Sequence, residues 1–247
     1  MIYYEHFCPE HIGTVLFITT CITATLLWSR KLNEKRTDIL VRVLSVTLFS
    51  AEAIQDILAY HEGFPITSFL PMHLCNLGIF VNLLASFTRG KVSSYFSEVS
   101  LVLIMPGAIG AILFPDWNYR PFWDWLNLTI FFTHLLLTLI PLLFLVKGRT
   151  HVKFSHFWYS LLFMLVVVPP IYAYDMNFDN NYMFLRDPVD GSPLEWVYNL
   201  SDGKHYILGL FFLLVGVLAF EYALIIGLRA LKKKLKKAKH SEAQAEK

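Results

Sequence analysis

Seven apolar stretches, separated by more polar segments, dominate the chain. A helix needs about 20 mostly apolar residues to cross roughly 30 Å of hydrocarbon. The pattern therefore predicts an all-α polytopic membrane protein with seven transmembrane helices. The fourth stretch is short and contains Pro106, Gly107 and Gly110, which predict a kink or a shifted boundary there. The predicted spans are Ile12 to Trp28, Ile39 to Tyr60, Leu70 to Phe87, Val99 to Phe114, Trp125 to Leu145, Phe157 to Tyr174 and Tyr206 to Leu228.

Basic residues follow every odd-numbered span, whereas the other connecting segments contain few. Basic loops remain in the cytoplasm, so the alternation predicts an N-terminus outside the cell and a cytoplasmic C-terminus. The chain then divides into a transmembrane domain, residues 1–228, and a basic cytoplasmic tail, residues 229–247. The basic groups are Arg30, Lys31, Lys35 and Arg36; Arg89 and Lys91; Lys147, Arg149 and Lys153; and the lysine-rich segment 229–239.

Composition agrees with a lipid environment and excludes several functions. Hydrophobic residues make up 55% of the chain and charged residues only 16%, so the expected partners are membrane lipids. A net charge of +2 gives no reason to expect a nucleic-acid partner. Cys8, Cys21 and Cys75 lack the spacing of a zinc site or a disulfide framework. We therefore expect neither a metal nor a cofactor.

Polar residues within the predicted spans form a short list. Glu52, Gln55 and Asp56 occupy positions i, i+3 and i+4 of the second span, one helix face near its outer end. The third span opens with Leu-Pro-Met-His-Leu-Cys-Asn-Leu, in which Pro71 suits a first helical turn. Ionisable groups in lipid are costly, so such residues usually face the bundle interior and mark a site or pathway.

Helical geometry restricts how Cys75 can find a base. Cys75 would lie about 8 Å inside its span and His134 about 12 to 15 Å inside the fifth, both in the outer half. His73 is two residues from Cys75, roughly 200° around the helix, and shares its face with Asn76 instead. A nucleophile–base pair involving Cys75 therefore requires another helix, and His134 is the remaining histidine within a span. The alternatives are a cysteine that only packs and a structural histidine.

The motif at residues 70–77 resembles that of YwaF-type bacterial membrane proteins, which are grouped with the transmembrane protein 164 family of acyltransferases. The likeness covers nearly the whole chain, and the run Asn180 to Leu185 is similar to that group's Asn-Tyr-x-Phe-Leu stretch. The resemblance implies a bacterial plasma-membrane protein that moves acyl chains between phospholipids. It implies Cys75 as the nucleophile of an acyl-thioester and His134 as its base. Related membrane hydrolases make intramembrane lipid hydrolysis an alternative.

Several other residues have expected supporting roles in this hypothesis. His73 or Asn76 would help to bind the oxyanion or the lipid headgroup. The outer loop that contains Asn181 and Tyr182 would act as a lid. The polar residues of the second span, Glu52, Gln55 and Asp56, would orient a histidine or hold the headgroup.

Two classes without catalysis remain as alternatives. The same polar stripes would line the cavity of a small-solute transporter or binding protein, for which a broken fourth helix is typical. A seven-helix receptor or photoreceptor is the other class. A retinal pigment needs a lysine well inside a span, however, and the last span has only Lys204 at its outer edge.

Overall fold

The structure, a computed structural model, describes residues 4–117 and 119–245. Over these residues the chain contains α-, 3₁₀- and π-helices and no β-strand. Single 3₁₀ turns occupy Ile66–Phe69, Phe154–His156 and Tyr182–Phe184, and a π-helical turn occupies Ser100–Ile104. The α-helices are α1 (Pro9–Ser29), α2 (Glu34–His61), α3 (Leu74–Phe87), α4 (Gly90–Val99), α5 (Met105–Leu113), α6 (Trp125–Val146), α7 (Phe157–Phe178), α8 (Pro193–Leu200) and α9 (Tyr206–Ala245).

Helix α6 lies at the centre of the fold. It packs against α1, α2, α3 and α5, and most of its residues between Leu126 and Phe144 are buried. A helix surrounded by protein on several sides needs apolar residues all round, as the run from Leu135 to Leu145 provides. The carboxylate of Asp124 accepts the backbone N–H of Leu126 at 3.0 Å and so caps the first turn.

The peripheral helices expose apolar side chains instead of polar ones. Phe17 on α1, Val166 on α7 and Phe212 on α9 are 66%, 66% and 63% exposed. Such surfaces suit a lipid environment and would be unfavourable in water. Within residues 4–117 and 119–245, five helical runs are long and apolar enough to cross a membrane, which makes the chain a helical membrane protein. They are Pro9–Ser29, Gly90–Leu113, Trp125–Val146, Phe154–Phe178 and Tyr206–Leu235.

The fourth apolar segment begins earlier than the predicted boundary at Val99. Helical structure runs without a break from Gly90 through α4, the π turn and α5 to Leu113. The sequence did not predict this start because α4 contains the polar residues Ser93, Ser97 and Glu98, which lower its hydropathy. In the structure these residues are buried against protein instead of lipid. The proline ring of Pro106 would clash with the carbonyl four residues earlier in a regular α-helix. The irregularity predicted near this proline is the π turn that precedes it.

The prediction that the third span is helical from Leu70 is wrong, because α3 begins at Leu74. Leu70 has an extended backbone, with φ −65° and ψ 132°, as the residue before a proline prefers. Pro71 consequently lies in a turn outside the helix and not in its first turn. The N-cap residue of α3 is His73.

The last helix does not end at Leu228, the predicted end of the transmembrane domain. Helix α9 continues to Ala245, and residues 246–247 lie outside the described part of the chain. The guanidinium of Arg229 donates to the carbonyl oxygens of Val152 and Thr150 at 3.1 and 2.8 Å. These bonds attach the base of the basic extension to the loop between α6 and α7.

Candidate active site

The thiol of Cys75 on α3 faces the imidazole of His134 on α6. The distance from His134 Nε2 to Cys75 Sγ is 3.2 Å, short enough for a hydrogen bond to sulfur. His134 is buried, and Cys75 packs against the main hydrophobic core. The structure therefore brings together the two residues that helical spacing had placed at similar depth on different helices.

The other ring nitrogen of His134 determines which tautomer faces the thiol. Nδ1 lies 2.8 Å from the carbonyl oxygen of Ile130, one turn earlier on α6. A carbonyl oxygen only accepts, so Nδ1 carries the proton and donates it. In the neutral ring the lone pair of Nε2 is then directed at Cys75. This is the tautomer that a general base requires.

Cys75 is the second residue of α3 and thus belongs to its first turn. The first N–H groups of a helix have no intrahelical partner, and the helix dipole adds partial positive charge there. The side chain of His73 does not cap them. The start of α3 therefore favours negative charge on Sγ, or on an oxyanion bound beside it.

Helix α3 starts inside the bundle and not at its end. His134 lies nine residues into α6, and Glu52 lies nine residues before the last residue of α2. At 1.5 Å per residue, both positions are about 13 Å from those helix ends. Because Cys75 contacts His134 and Asn76 contacts Glu52, the first turn of α3 lies at that depth. Segment 62–73, which contains one 3₁₀ turn and no α-helix, leads down to it.

The polar face of α2 is directed toward α3. The amide Nδ2 of Asn76 donates a hydrogen bond to Oε1 of Glu52. Gln55 Oε1 is buried and lacks a hydrogen-bond partner among the described residues. On another side of the same helix Ile54 is 57% exposed, as expected of a lipid-facing residue. All three polar residues of this face are half-buried. The bond of Glu52 to Asn76 and the buried oxygen of Gln55 fit the predicted inward orientation.

The sequence predicted that His73 shares a helix face with Asn76. This is wrong, because His73 precedes the first residue of α3. The backbone N–H of Met183 donates to His73 Nδ1 at 3.3 Å. Nδ1 therefore accepts, and the proton of the neutral ring lies on Nε2. This tautomer is the opposite of that of His134. In the neutral site, His134 therefore accepts a hydrogen bond through Nε2, and His73 donates one through Nε2.

The segment around Tyr182 covers His73. The Tyr182 and His73 rings have centroids 5.0 Å apart, and the Tyr182 hydroxyl donates to the carbonyl oxygen of Thr67. Met183 and Phe184 have left-handed φ values of 54° and 55°, which cost roughly 1–2 kcal/mol each in residues with a Cβ. Strained backbone that the surroundings hold in place is frequent at ligand clamps.

Asn181 shapes this segment from within. Its Oδ1 accepts the backbone N–H groups of Arg186 and Asp187 at 3.0 and 3.2 Å. Its Nδ2 donates to the carbonyl oxygen of Asp187 at 2.9 Å. These hydrogen bonds all lie within residues 181–187, so the structure gives Asn181 a role in the turn and leaves the contact with His73 to Tyr182.

Sequence reasoning missed Trp117, which packs on His134. The two rings have centroids 5.3 Å apart and planes inclined by 36°, and Trp117 is only 5% exposed. Tryptophans in outer loops of membrane proteins commonly lie at the level of the headgroups, whereas Trp117 is folded back onto α6. Trp117 lies four residues after the end of α5 and eight residues before the start of α6. A residue so close to both helices along the chain cannot lie far from them in space, and this spacing was the available signal.

The structure also buries a carboxylate toward the opposite end of the bundle, which the sequence did not predict. Glu98 on α4 is 2% exposed. It accepts hydrogen bonds from His156 Nδ1 at 2.7 Å and from the Tyr222 hydroxyl at 3.0 Å. Because His156 precedes α7 and Tyr222 belongs to α9, the carboxylate joins three parts of the fold away from Cys75.

The lipid-facing helices and the buried thiol–imidazole pair define a multi-pass helical membrane protein with a candidate nucleophile–base site. A family model described as the TMEM164 family matches residues 5–222. The chain therefore belongs to the TMEM164 family, which confirms the grouping inferred from the motif at residues 70–77. Among curated proteins and solved structures, none matches the chain.

Proposed function

We propose that the protein is a membrane-embedded acyltransferase that acts on phospholipids or related lipid esters through an acyl-thioester on Cys75. The observation that carries the proposal is the 3.2 Å contact between His134 Nε2 and Cys75 Sγ. A neutral thiol is a weak nucleophile, and an adjacent base that removes its proton is the usual means of activation. Membership of the TMEM164 family supports a membrane-embedded protein, and the resemblance at residues 70–77 implies the lipid substrate.

In the first half-reaction His134 Nε2 takes the thiol proton, and the thiolate attacks the carbonyl carbon of the donor ester. The tetrahedral intermediate collapses, the bond to the alcohol oxygen breaks, and the imidazolium returns the proton to that oxygen. A lysolipid leaves and the acyl chain remains on Cys75. The first-turn N–H groups of α3 and the Nε2–H of His73 supply donors for the oxyanion.

In the second half-reaction the hydroxyl of an acceptor lysolipid attacks the thioester carbonyl while Nε2 takes its proton. The C–S bond breaks, the acceptor becomes an ester, and the proton returns to the Cys75 sulfur. Water in place of the lysolipid would release a free fatty acid, which is the hydrolase alternative. The two outcomes share every residue of the site and differ only in the acceptor.

The proposed topology has seven spans, an external N-terminus and a cytoplasmic C-terminus. Helix α2 has 28 residues, about 42 Å, and is long enough to cross. Helix α3 has 14 residues, about 21 Å, so segment 62–73 would complete the third crossing. Backbone outside α-helices is tolerated in a membrane only where protein or a cavity surrounds it. Here Tyr182 packs on His73 and bonds the carbonyl oxygen of Thr67, so it covers part of this segment.

This orientation puts Cys75 in the outer half of the bilayer, about 13 Å from the outer ends of α2 and α6, so the ester carbonyl of the substrate must move below the headgroup boundary to reach the thiol. The TMEM164 membership and the lipid-facing helices support a multi-pass cell-membrane location. The YwaF-type resemblance extends the proposal to a bacterial plasma membrane.

Mass spectrometry of the intact purified protein after incubation with phospholipid vesicles tests the proposal. We expect one added acyl mass on Cys75, absent in Cys75→Ala and retained in Cys21→Ala, a matched change at another half-buried membrane cysteine. Added lysolipid should remove the adduct and become acylated. Release of free fatty acid in its place would assign hydrolysis. Full lipid remodelling by Cys75→Ala would exclude the thioester mechanism.

A further inference from the structure

Trp117 covers one face of the imidazole of His134. It lies in the loop after α5, is only 5% exposed, and packs in a cluster with Tyr4, Ile112 and Phe122. Its ring also meets Phe131 of α6 edge-on, with centroids 5.4 Å apart and planes at 79°. The indole is therefore fixed between this loop and α6, next to the candidate base.

The indole N–H of Trp117 is buried and has no hydrogen-bond partner among the described residues. Buried tryptophans usually pair this group, and an unpaired buried donor destabilises the folded state. A phenylalanine or leucine would fill an apolar cluster without that loss. Packing alone is thus a poor explanation for a tryptophan here, and its contact with the imidazole is a better one.

We propose that Trp117 is a positioning residue that holds the imidazole of His134 in line with Cys75 and stabilises its protonated form. The inference rests on the proposed Cys75–His134 pair. The hydrogen bond from Nδ1 to Ile130 fixes one point of the ring, and the indole against its face limits rotation about that point. When Nε2 takes the thiol proton, the ring becomes a cation, and the π face of tryptophan attracts a cation within about 6 Å.

Other ionisable groups near Cys75 and His134 also influence the pH dependence of this pair. Neither α5 nor the π turn contains an ionisable side chain. A substitution at Trp117 leaves the remaining groups in place, so a change in pH dependence can be attributed to the indole. These groups are His11 on α1, Glu52 on α2, His73 before α3 and Asp116 in the loop.

The pH dependence of Cys75 alkylation tests the proposal without any lipid substrate. The full chain would be purified in detergent with Cys8→Ser and Cys21→Ser, so that iodoacetamide modifies one thiol. In this parent, the pH at which the reaction reaches half its maximal rate is the reference midpoint for the variants. Trp117→Leu should raise that midpoint by about one pH unit, equivalent to about 1.4 kcal/mol.

Three further variants separate the effect of the ring face from that of the rest of the side chain. Trp117→Phe keeps an aromatic face and removes the unpaired N–H, so its midpoint should move by less than half as much. Trp123→Leu changes a tryptophan of the same loop that is 67% exposed and should leave the midpoint unchanged. Trp117→Met, which lacks a π face, replaces the leucine variant if that protein does not fold.

The result for His134→Gln distinguishes failure of this inference from failure of the proposed function. If His134→Gln raises the midpoint and neither Trp117→Leu nor Trp117→Met does, the role of Trp117 is wrong and the pair stands. If His134→Gln also leaves the profile unchanged, His134 does not activate Cys75 and the proposed pair itself fails. A phenylalanine variant that behaves like the leucine variant would contradict the role assigned to the ring face.

Discussion

The side-chain amide of Asn76 donates a hydrogen bond to the carboxylate of Glu52, which ties the first turn of α3 to the middle of α2. Asn76 is the residue after Cys75, so this bond fixes the helix end that contains the nucleophile. Glu52 is held inside the bundle by the same contact. A charged or polar group in lipid is costly without such a partner.

Removal of one partner of this bond should therefore cost more than removal of both. Asn76→Leu leaves Glu52 buried and unpaired, and we expect a loss of about 1–3 kcal/mol of stability. The double variant with Glu52→Leu should recover most of it, because two apolar groups then replace the pair. Thermal unfolding of the parent, both single variants and the double variant would measure the coupling. Strictly additive losses would show that the two side chains do not depend on each other.

His134→Gln should slow formation of the acyl adduct on Cys75 by about 10²–10⁴-fold, the usual contribution of a general base. Glutamine has similar reach but cannot accept a proton near neutral pH. His156→Gln is the matched control, since that histidine bonds Glu98, a buried carboxylate away from Cys75. Rapid quenching followed by mass spectrometry would give both rates. Equal slowing in the two variants would mean that the effect arises from general loss of fold.

The sequence was sufficient to predict the class and family of this protein. Long apolar runs predicted an all-α membrane protein, and the motif at residues 70–77 predicted the family; both are confirmed. The depth argument also selected Cys75 and His134 as residues able to meet. The two side chains do meet, although the count for Cys75 started at Leu70, four residues before α3 begins. The count for His134 started within the first turn of α6 and gave its depth correctly.

Other features of the site depend on tertiary packing and could not be read from the pattern. The start of α3 at Leu74 depends on the path of segment 62–73, which contains no α-helix. Pro71 gave one local reason against a helix at Leu70, because the residue before a proline disfavours helical backbone. The contact of Tyr182 with His73 joins residues more than 100 positions apart. The contact of Trp117 with His134 could not be predicted either, because hydropathy does not distinguish an indole at the membrane surface from one that packs on α6.

Asn181→Ala should loosen the segment that covers His73. The substitution removes three hydrogen bonds within residues 181–187, so the amides of Arg186 and Asp187 should exchange with solvent at least tenfold faster. The neighbouring Asn180 makes a single side-chain bond, to Phe178, and Asn180→Ala should leave exchange within residues 181–187 unchanged. Hydrogen exchange with mass spectrometry would compare the two. Equal protection in both variants would mean that Asn181 does not shape the turn.

The proposed topology predicts the side of the membrane on which each segment lies. A reporter fused after Lys247 should be active in the cytoplasm, because basic residues follow α9. A reporter inserted at Gly191 should be active only outside, and a third after Lys91 only inside. Activity inside the cell for the insertion at Gly191 would exclude the seven-span arrangement. It would also move Cys75 to the inner half of the bilayer.

Gly78→Ala should impair the Cys75–His134 contact from a distance of one helical turn. Gly78 lies three residues after Cys75, on the face of α3 that packs against Ile104 and Leu137. An added Cβ would be 2.4 Å from Ile104 Cγ2 and 3.0 Å from Leu137 Cδ2. Since both neighbours are buried, α3 must shift away from α6, and Sγ should move away from Nε2.

We expect Gly78→Ala to reduce adduct formation at least tenfold and to destabilise the fold by about 1–3 kcal/mol, the usual cost of overpacking. Gly110→Ala on α5 is the matched control, because a Cβ there meets no atom within 4 Å. Alanine in a helix stabilises relative to glycine by about 0.5–1 kcal/mol, so this variant should be fully active. Adding Ile104→Ala to Gly78→Ala removes the clashing methyl group and should restore part of the lost adduct formation. If the double variant is no faster than Gly78→Ala, close approach of α3 to the π turn does not set the position of Cys75.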